Sequence, residues 1–438
     1  MPQESAFEPL EDVVFIATSD LAARTKGRAL PARRFDETTS VGWVPANIGI
    51  GPLGHIVDGI PFGASGDLRL RPDPASRVRI PRIGERPAFD LVFGDLVEVD
   101  GEPWHSCPRT FLRETVRELR EEFGIEARST FEHEFVDLSA GPDHHPFSLE
   151  AFRRAEPLGS TLLALLERMG LEPENWLPEY AKHQYEITLE PTDPLTSADR
   201  AILLRDLVRD LFEAHGRRAT FAPITEEGGG GSGVHVHFGL YDESGRTLLF
   251  DPDRPGRLSE LGGRFAAGVI RHAPGLTALF APLLTSYQRL RPHNWSTARA
   301  FLGVQNREAL LRICPTNELD GRDPSRQLHF EFRGSDAGAN PWLLLGALLR
   351  AGMAGLRESL DPAEVVEGDL DLEGRHAGLA PLPERLEDAL DAMLADETVT
   401  GWFSPELVET FAAIKRDELR LLRSRSLAEQ IEVYSRVL

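Results

Sequence analysis

The stretch GGGGSGVHVHFG, residues 228–239, sets a run of glycines against two histidines spaced two apart, His235 and His237. The glycines predict a loop. The VHVHFGLYD that follows alternates with a period of two and predicts a β-strand, so both imidazoles point to one face. Two other segments repeat the device. STFEHEFVDL (129–138) places Glu132 and Glu134 on one face of a strand, and LHFEFRGSD (328–336) does the same for Glu331 and Arg333. The intervening His133, Val236 and Phe332 face the other side.

Taken singly, each pair says little: EHE suits an ordinary solvated face, and HVH a structural strand. The flanking Phe131, Phe135, Val234, Phe238, Phe330 and Phe332 mark these strands as buried, where unpaired charge is costly. Carboxylates and imidazoles there need partners, and divalent cations supply them. PEYAKHQYE (178–186) contributes two more carboxylates, Glu179 and Glu186. Such an oxygen-rich set with one histidine suits Mg²⁺ or Mn²⁺. Zinc is disfavoured without cysteine ligands, although carboxylate and histidine alone also bind it. Against this negative cluster stand Arg289 in TSYQRL, Arg307 and Arg312 in NREALLR, and Arg333. Their forked guanidinium groups match phosphate or carboxylate oxygens. Metal ions with arginines are the equipment of phosphoryl transfer.

The remainder of the chain reads as short strands mixed with helices. VVFIATSD, SRVRIPRI and FDLVFGDLVEVDGEPW are β runs, with a hairpin turn at Asp100-Gly101. CPRTFLRETVRELREEFG (107–124) is a helix that ends at Gly124, and the domain boundary is placed near Pro108. LGSTLLALLERMG is a serine-capped helix, HQYEITLEP a strand, SADRAILLRDLVRDLFEAHG a helix with Ser197 as N-cap, and RATFAPI a strand. A further helix begins at Pro341. DGRDPSRQ and EGDLDLEGRHAGLAPLP read as exposed loops, and helices occupy the C-terminus. Without regular βαβ alternation, the class is α+β.

At 438 residues the chain exceeds one ordinary core, and two domains are expected. Its formal charge of -22 argues against nucleic acid or an anionic membrane as partner. Cys107 and Cys314 suggest no disulfide framework. The acidic start MPQESAFEPLEDV lacks a signal-peptide pattern, and apolar runs such as WLLLGALL are too short to cross a bilayer. A cytoplasmic protein is expected by elimination.

The ordered series EYAKHQYE, ADRAILLRDLVRDLFEAHGRRATFAPI, GSGVHVHFGL, TSYQRL, NREALLRI and FEFRGSDAGANPWLLLGALLRAG resembles the glutamine synthetase family. The resemblance implies a small β-grasp domain over residues 1–107. It implies a larger catalytic domain over 108–438, with a curved antiparallel sheet surrounded by helices. It also implies a homo-oligomer of two stacked rings, usually a dodecamer, with active sites between subunits. Carried over by position, Glu134, Glu179 and Glu186 hold one metal, and Glu132, His235 and Glu331 another. His237 lies near the nucleotide, and Arg307 and Arg312 lie on the ATP phosphates. Arg289 and Arg333 lie near the glutamate substrate and the transferred phosphoryl group, and Gly231 lies in a mobile loop beside the acid. The implied cofactors are ATP and two or three Mg²⁺ or Mn²⁺ ions per site.

Departures from the family pattern bear on the amine. The FDGSS segment that helps make an ammonium pocket is absent from GIGPLGHIVDGIPFGASGDLRLRPD (49–73). In RLRPHNW, Trp295 stands where the family places a flap glutamate that helps deprotonate ammonium. Apolar surface there suits an organic amine better than ammonium. Gly230 replaces an asparagine, and Ile224 stands near the position of a family lysine; the adenylylated loop tyrosine has no counterpart. The leading expectation is an ATP-dependent glutamate–amine ligase working through a γ-glutamyl phosphate. The alternatives are a true glutamine synthetase and a catalytically silent ring with a regulatory or scaffolding role.

Overall fold

The structure is a computed structural model that describes residues 12–139, 141, 143–291, 296–370, 374 and 376–438. The first strands build one sheet: β1 (Val13–Ser19), β2 (Thr25–Pro31), β3 (Val41–Trp43), β4 (Leu68–Pro72), β5 (Val78–Ile80) and β6 (Phe89–Val97). Its order is β2-β1-β6-β4-β3, with β5 also on β6. β1 runs parallel to β6, while the other pairings are antiparallel. The expected hairpin follows β6, where Val97 bridges Pro103 around Gly101, whose φ of 97° an L side chain rarely adopts.

Helix α1 (Pro108–Phe123) starts at the expected proline and ends at Gly124 in the left-handed conformation. The second sheet then takes β7 (Glu126–Asp137), β8 (Pro173–Pro178), β9 (Gln184–Leu189), β10 (Ala219–Thr220) and β11 (Val234–Tyr241). It is completed by β12 (Leu302–Val304), β13 (Leu311–Ile313), β14 (Phe330–Phe332) and β15 (Val365–Glu367). Its order is β15-β12-β13-β14-β11-β7-β9-β8, with β10 also on β7. The sheet is antiparallel except at one edge, where β12 runs parallel to β13 and β15.

Helices cover the core face. α2 (Leu149–Ala155) and α3 (Leu158–Arg168) lie between β7 and β8 in sequence, and α4 (Pro194–Ala214) packs on β7. α5 (Glu260–Phe280) crosses α7 (Pro341–Arg357), with the short α6 (Ser286–Arg289) between them in sequence. A Cβ on Gly268 of α5 would lie 2.9 Å from the Cα of Gly355 on α7, so these backbones touch. α8 (Leu386–Ala395), α9 (Glu397–Thr400), α10 (Pro405–Leu422) and α11 (Leu427–Val437) close the chain. The α+β class is therefore as expected.

Several local expectations need correction. Asp193, not Ser197, caps α4, accepting from the Thr196 amide at 3.0 Å. Ser197 is buried inside the helix, 2.6 Å from the Ser129 hydroxyl. α3 begins after Pro157 with no side-chain cap, and Ser160 sits within its first turn. RATFAPI pairs with β7 only at Ala219 and Thr220. The loop DGRDPSRQ contains short 3-10 turns, and residues 371–373 and 375 of the acidic stretch lie outside the described residues.

Buried charge ties α1 and α4 to the first sheet. Arg109 on α1 is 1 % exposed and donates to Asp199 of α4 at 2.7 Å, to Asp73 at 3.0 Å and to Asp95 of β6 at 3.2 Å. Despite the cost of burial, Asp199 and its neighbours hold this guanidinium charged. Arg109→Met would leave the buried carboxylate of Asp199 without its cation. It should destabilise the fold by about 3–5 kcal/mol, read as a lower denaturant midpoint with an unchanged slope.

Candidate active site

The second sheet places the predicted groups on five adjacent strands. Glu132 and Glu134 lie on one face of β7, with His133 and its neighbours Phe131 and Phe135 in the core. His235 on β11 pairs in register with Glu132, and Glu186 on β9 pairs with Glu134. His237 pairs with Glu331 on β14, which in turn faces Arg312 on β13. Glu179 follows β8. One cavity of about 500 Å³ is lined by Glu132, Glu134, Glu179, Glu186, His235, Glu331, Arg289, Arg307, Arg312, Arg333 and the 228–231 glycines. His237 stands at its edge, with Nε2 3.2 Å from Glu132 Oε2. Trp295 lies outside the described residues.

A larger cavity, about 1000 Å³, lies elsewhere, between the first sheet and α4. It carries no comparable cluster of carboxylates and imidazoles, so its size does not outweigh the chemistry of the smaller one.

The two halves of the carboxylate cluster differ in charge balance. In one, Glu132 Oε1 is 2.6 Å from His235 Nδ1, and Glu331 Oε2 accepts from Arg312 at 2.6 Å and Oε1 from Arg333. Burial opposes ionisation of Glu132, yet its hydrogen bonds to His235 and His237 keep it well below the usual carboxylate range. Burial also opposes ionisation of Glu331, but Arg333 and the two histidines bring it down to about 2. Burial, assisted by Arg333, lowers His235 to about 4 and leaves a neutral imidazole.

In the other half, Glu134, Glu179 and Glu186 offer oxygens within 4.8 Å of one another. Their hydrogen-bond partners include neutral groups: Glu134 accepts from the Gly233 amide at 2.6 Å, and Glu179 from the Tyr180 amide at 2.9 Å. Burial and then Glu179 push Glu134 up to about 8. Burial with Glu132, Glu134 and Glu179 pushes Glu186 up to about 10. At 4.8 Å, two carboxylates repel by about 3 kcal/mol at an effective dielectric of about 20. Oxygen donors crowded in this way fit a divalent cation.

The glycines have a steric role as well. A Cβ on Gly231 would collide with the Arg289 side chain, and one on Gly233 would lie 2.6 Å from His235 Nε2. At Gly230, where the family pattern has asparagine, a Cβ would lie 2.9 Å from that of Ala181. The glycine run therefore lets Arg289 reach the Ser335 carbonyl, at 2.8 Å, alongside the cavity.

Sequence reasoning missed Gln184, Cys314 and His329. Gln184 donates to the Gly231 carbonyl at 2.8 Å and ties the glycine loop to β9. Each lies two residues from a predicted group: Gln184 from Glu186, Cys314 from Arg312, and His329 from Glu331. The period-two rule reaches Gln184 and His329, whereas Cys314 follows β13, a strand of three residues. Phe147, Leu177, Tyr180 and Ser296 also line the cavity and carried no sequence signal.

Comparison with known proteins agrees with this fold. Residues 105–434 match the glutamine synthetase catalytic domain, and residues 3–104 match the glutamine synthetase N-terminal domain. The chain belongs to the glutamine synthetase family, whose members are C–N bond-forming ligases. It is 32% identical over 371 residues to the gamma-glutamylpolyamine synthetase GlnA3 of Streptomyces coelicolor, covering 81% of this chain and 77% of that protein. It is 30% identical over 424 residues to the glutamine synthetase of Halobacterium salinarum, covering 93% and 90% respectively. A crystal structure described as a novel glutamine synthase homolog superposes with a TM-score of 0.91 at 40% identity, over 99% of this chain and 100% of that one. A GmaS–ADP complex superposes with a TM-score of 0.82 at 26% identity, over 96% of each chain.

Glu134→Ala should abolish turnover and leave the fold intact, because it removes a crowded carboxylate and no apolar core packing. Mg²⁺ should raise the wild-type unfolding temperature by mass action. The variant should show a smaller Mg²⁺-induced rise in unfolding temperature than wild type, because one of the two carboxylate groups is lost.

Proposed function

We propose that this chain is an ATP-dependent carboxylate–amine ligase that joins the γ-carboxylate of glutamate to an organic amine through a γ-glutamyl phosphate. The observation that carries the reading is the pairing of Glu134 with Glu186 and of Glu132 with His235 across adjacent strands, with four arginines around the same cavity. Glu134, Glu179 and Glu186 would hold one divalent cation, and Glu132, His235 and Glu331 a second. Bound Mg²⁺ or Mn²⁺ would screen the repulsion between a substrate carboxylate and the triphosphate.

In this reading, Arg307 and Arg312 hold phosphate oxygens of ATP, with His237 near the nucleotide. Arg289 and Arg333 orient the acid and neutralise charge that builds on the transferred phosphoryl group. Arg333 is held for that task by Glu331 and by the Arg307 carbonyl, which accepts from its Nε at 2.9 Å. Gly231 lies beside the acid. Phosphorylation turns a carboxylate, whose leaving group would be oxide, into an acyl phosphate that an amine attacks readily.

Three features favour an organic amine over ammonium. Trp295 takes the place of the flap glutamate, and the FDGSS segment is missing. The cavity wall beside Glu179 carries Phe147, Leu177 and Tyr180, of which Phe147 is 51% and Tyr180 62% exposed. Phe147 also holds a φ of 56°, a backbone region that a bulky residue rarely adopts. Such apolar surface offers contact to the carbon skeleton of an amine and none to ammonium. The polyamine activity named for the Streptomyces relative points the same way. The glutamine synthetases among the relatives keep ammonium as the competing reading. The assembly expected with this function is a pair of stacked rings, with active sites between subunits.

Phosphate release from ATP, Mg²⁺ and glutamate should rise with at least one of a panel of mono-, di-, poly- and aromatic amines, and exceed that with ammonium at equal concentration. An absence of amine-stimulated release across the panel would defeat the reading, and efficient use of dilute ammonium would replace it with glutamine synthesis. Trp295→Glu should shift preference toward ammonium, measured as the ratio of kcat/KM for ammonium to that for the best amine.

A further inference from the structure

His237 meets Glu132 through one ring nitrogen, and its other nitrogen faces a different set of atoms. Nδ1 is 3.1 Å from His329 Nε2 and 3.9 Å from Cys314 Sγ. His329 Nδ1 is 2.7 Å from the backbone oxygen of Gln327. A carbonyl only accepts, so His329 Nδ1 carries the proton, and in the neutral ring its Nε2 presents a lone pair. His237 Nε2 likewise donates to the Glu132 carboxylate, which turns Nδ1 toward His329. His237 Nδ1 and His329 Nε2 face each other at 3.1 Å, with a buried sulfur alongside. Such an arrangement calls for a positive centre between them, either a proton or a metal ion.

The spacing fits a metal. Zinc bond lengths of about 2.0–2.1 Å to nitrogen and 2.3 Å to sulfur, at tetrahedral angles, set ligand nitrogens about 3.3 Å apart and nitrogen and sulfur about 3.6 Å apart. The three donor atoms all lie within 4.8 Å of one another. Among the described residues, no other group of metal-donor side chains contains a cysteine. Both imidazoles are partly exposed, which leaves a way in, whereas Cys314 is 5% exposed.

We propose that His237, Cys314 and His329 form a separate metal site, selective for borderline and soft divalent ions such as Zn²⁺, at the edge of the ligase cavity. Thiolate and imidazole bind Zn²⁺ far better than Mg²⁺, so the site stays open in Mg²⁺ and fills with Zn²⁺. Capture releases the Cys314 thiol proton to solvent and leaves a sulfur–metal bond. His237 Nε2 keeps its proton and donates it to Glu132, the carboxylate–histidine–metal relation that fixes a ligand's tautomer and orientation. Glu331 Oε2 lies 3.8 Å from Cys314 Sγ. The site therefore adjoins the carboxylate cluster through both Glu132 and Glu331. Its occupation immobilises His237 and inhibits turnover; this consequence alone rests on the function proposed above.

The test titrates the full-length protein, in saturating Mg²⁺, first with Co²⁺ and then with Zn²⁺, following thiolate-to-cobalt charge-transfer absorption. Cys314→Ser and His329→Asn serve as comparisons. Wild type should develop the band at one cobalt per chain and lose it to zinc. Cys314→Ser should show no band. Both variants should hold zinc at least about 100-fold more weakly, since even an outer-shell partner carries about 10–100-fold. Both should keep Mg²⁺-dependent turnover and lose sensitivity to zinc. A wild-type protein with no thiolate band, or equal zinc inhibition of wild type and Cys314→Ser, would overturn the site. A band without ligase turnover on any acid–amine pair would support the metal site and remove the proposed function.

Discussion

Carboxylates that repel one another are held face to face across the second sheet, and the rest of the site follows from that constraint. β7 and β9 pair in a register that sets Glu134 against Glu186, a like-charged cross-strand pair of the kind sheets ordinarily avoid. Nothing in the strand ladder requires carboxylates at those two positions. Their crowding disfavours ionisation of both until something positive arrives, and the fold supplies the neighbouring half of the cluster already paired with histidine and arginine. The sheet thus stores an unmet demand for charge at one place and meets it at another. Divalent cations would resolve the first, which would leave the arginines for anions.

The geometry depends on features that carry no charge. Buried phenylalanines on the opposite face fix which residues of β7, β11 and β14 face the cavity, since a slip of one residue would turn every ligand into the core. The glycine run clears space for Arg289 and His235. Gln184 and the Gly233 amide fasten the loop to the strands it adjoins. At a distance, the Arg109 network joins α1 and α4 to the first sheet.

Much of this was legible in the sequence because a strand alternates sides with a period of two. His235, Glu132, Glu134 and Glu331 declared their common orientation in that way, and the ordered motif series placed the chain in its family. The same alternation holds for Gln184 beside Glu186 and for His329 beside Glu331. Other elements left no local signal. β12, β13 and β15 have three residues each, too few to show a period, and are strands only because neighbours pair with them. α5 contains Gly262, Gly263, Gly268 and Pro274, which break its helical pattern, yet Gly268 is what allows α7 to approach. Ser197 resembled a cap by composition, but Asp193 lies before the proline that starts the helix and takes the role.

The central claim, that divalent cations hold these carboxylates together, is tested most directly by electron paramagnetic resonance of the purified protein titrated with Mn²⁺. The account predicts at least two tightly bound ions per chain, with spectra broadened by their mutual interaction, because both ligand groups share one cavity. Weak binding of isolated, unbroadened Mn²⁺, indistinguishable between wild type and Glu186→Gln, would contradict it.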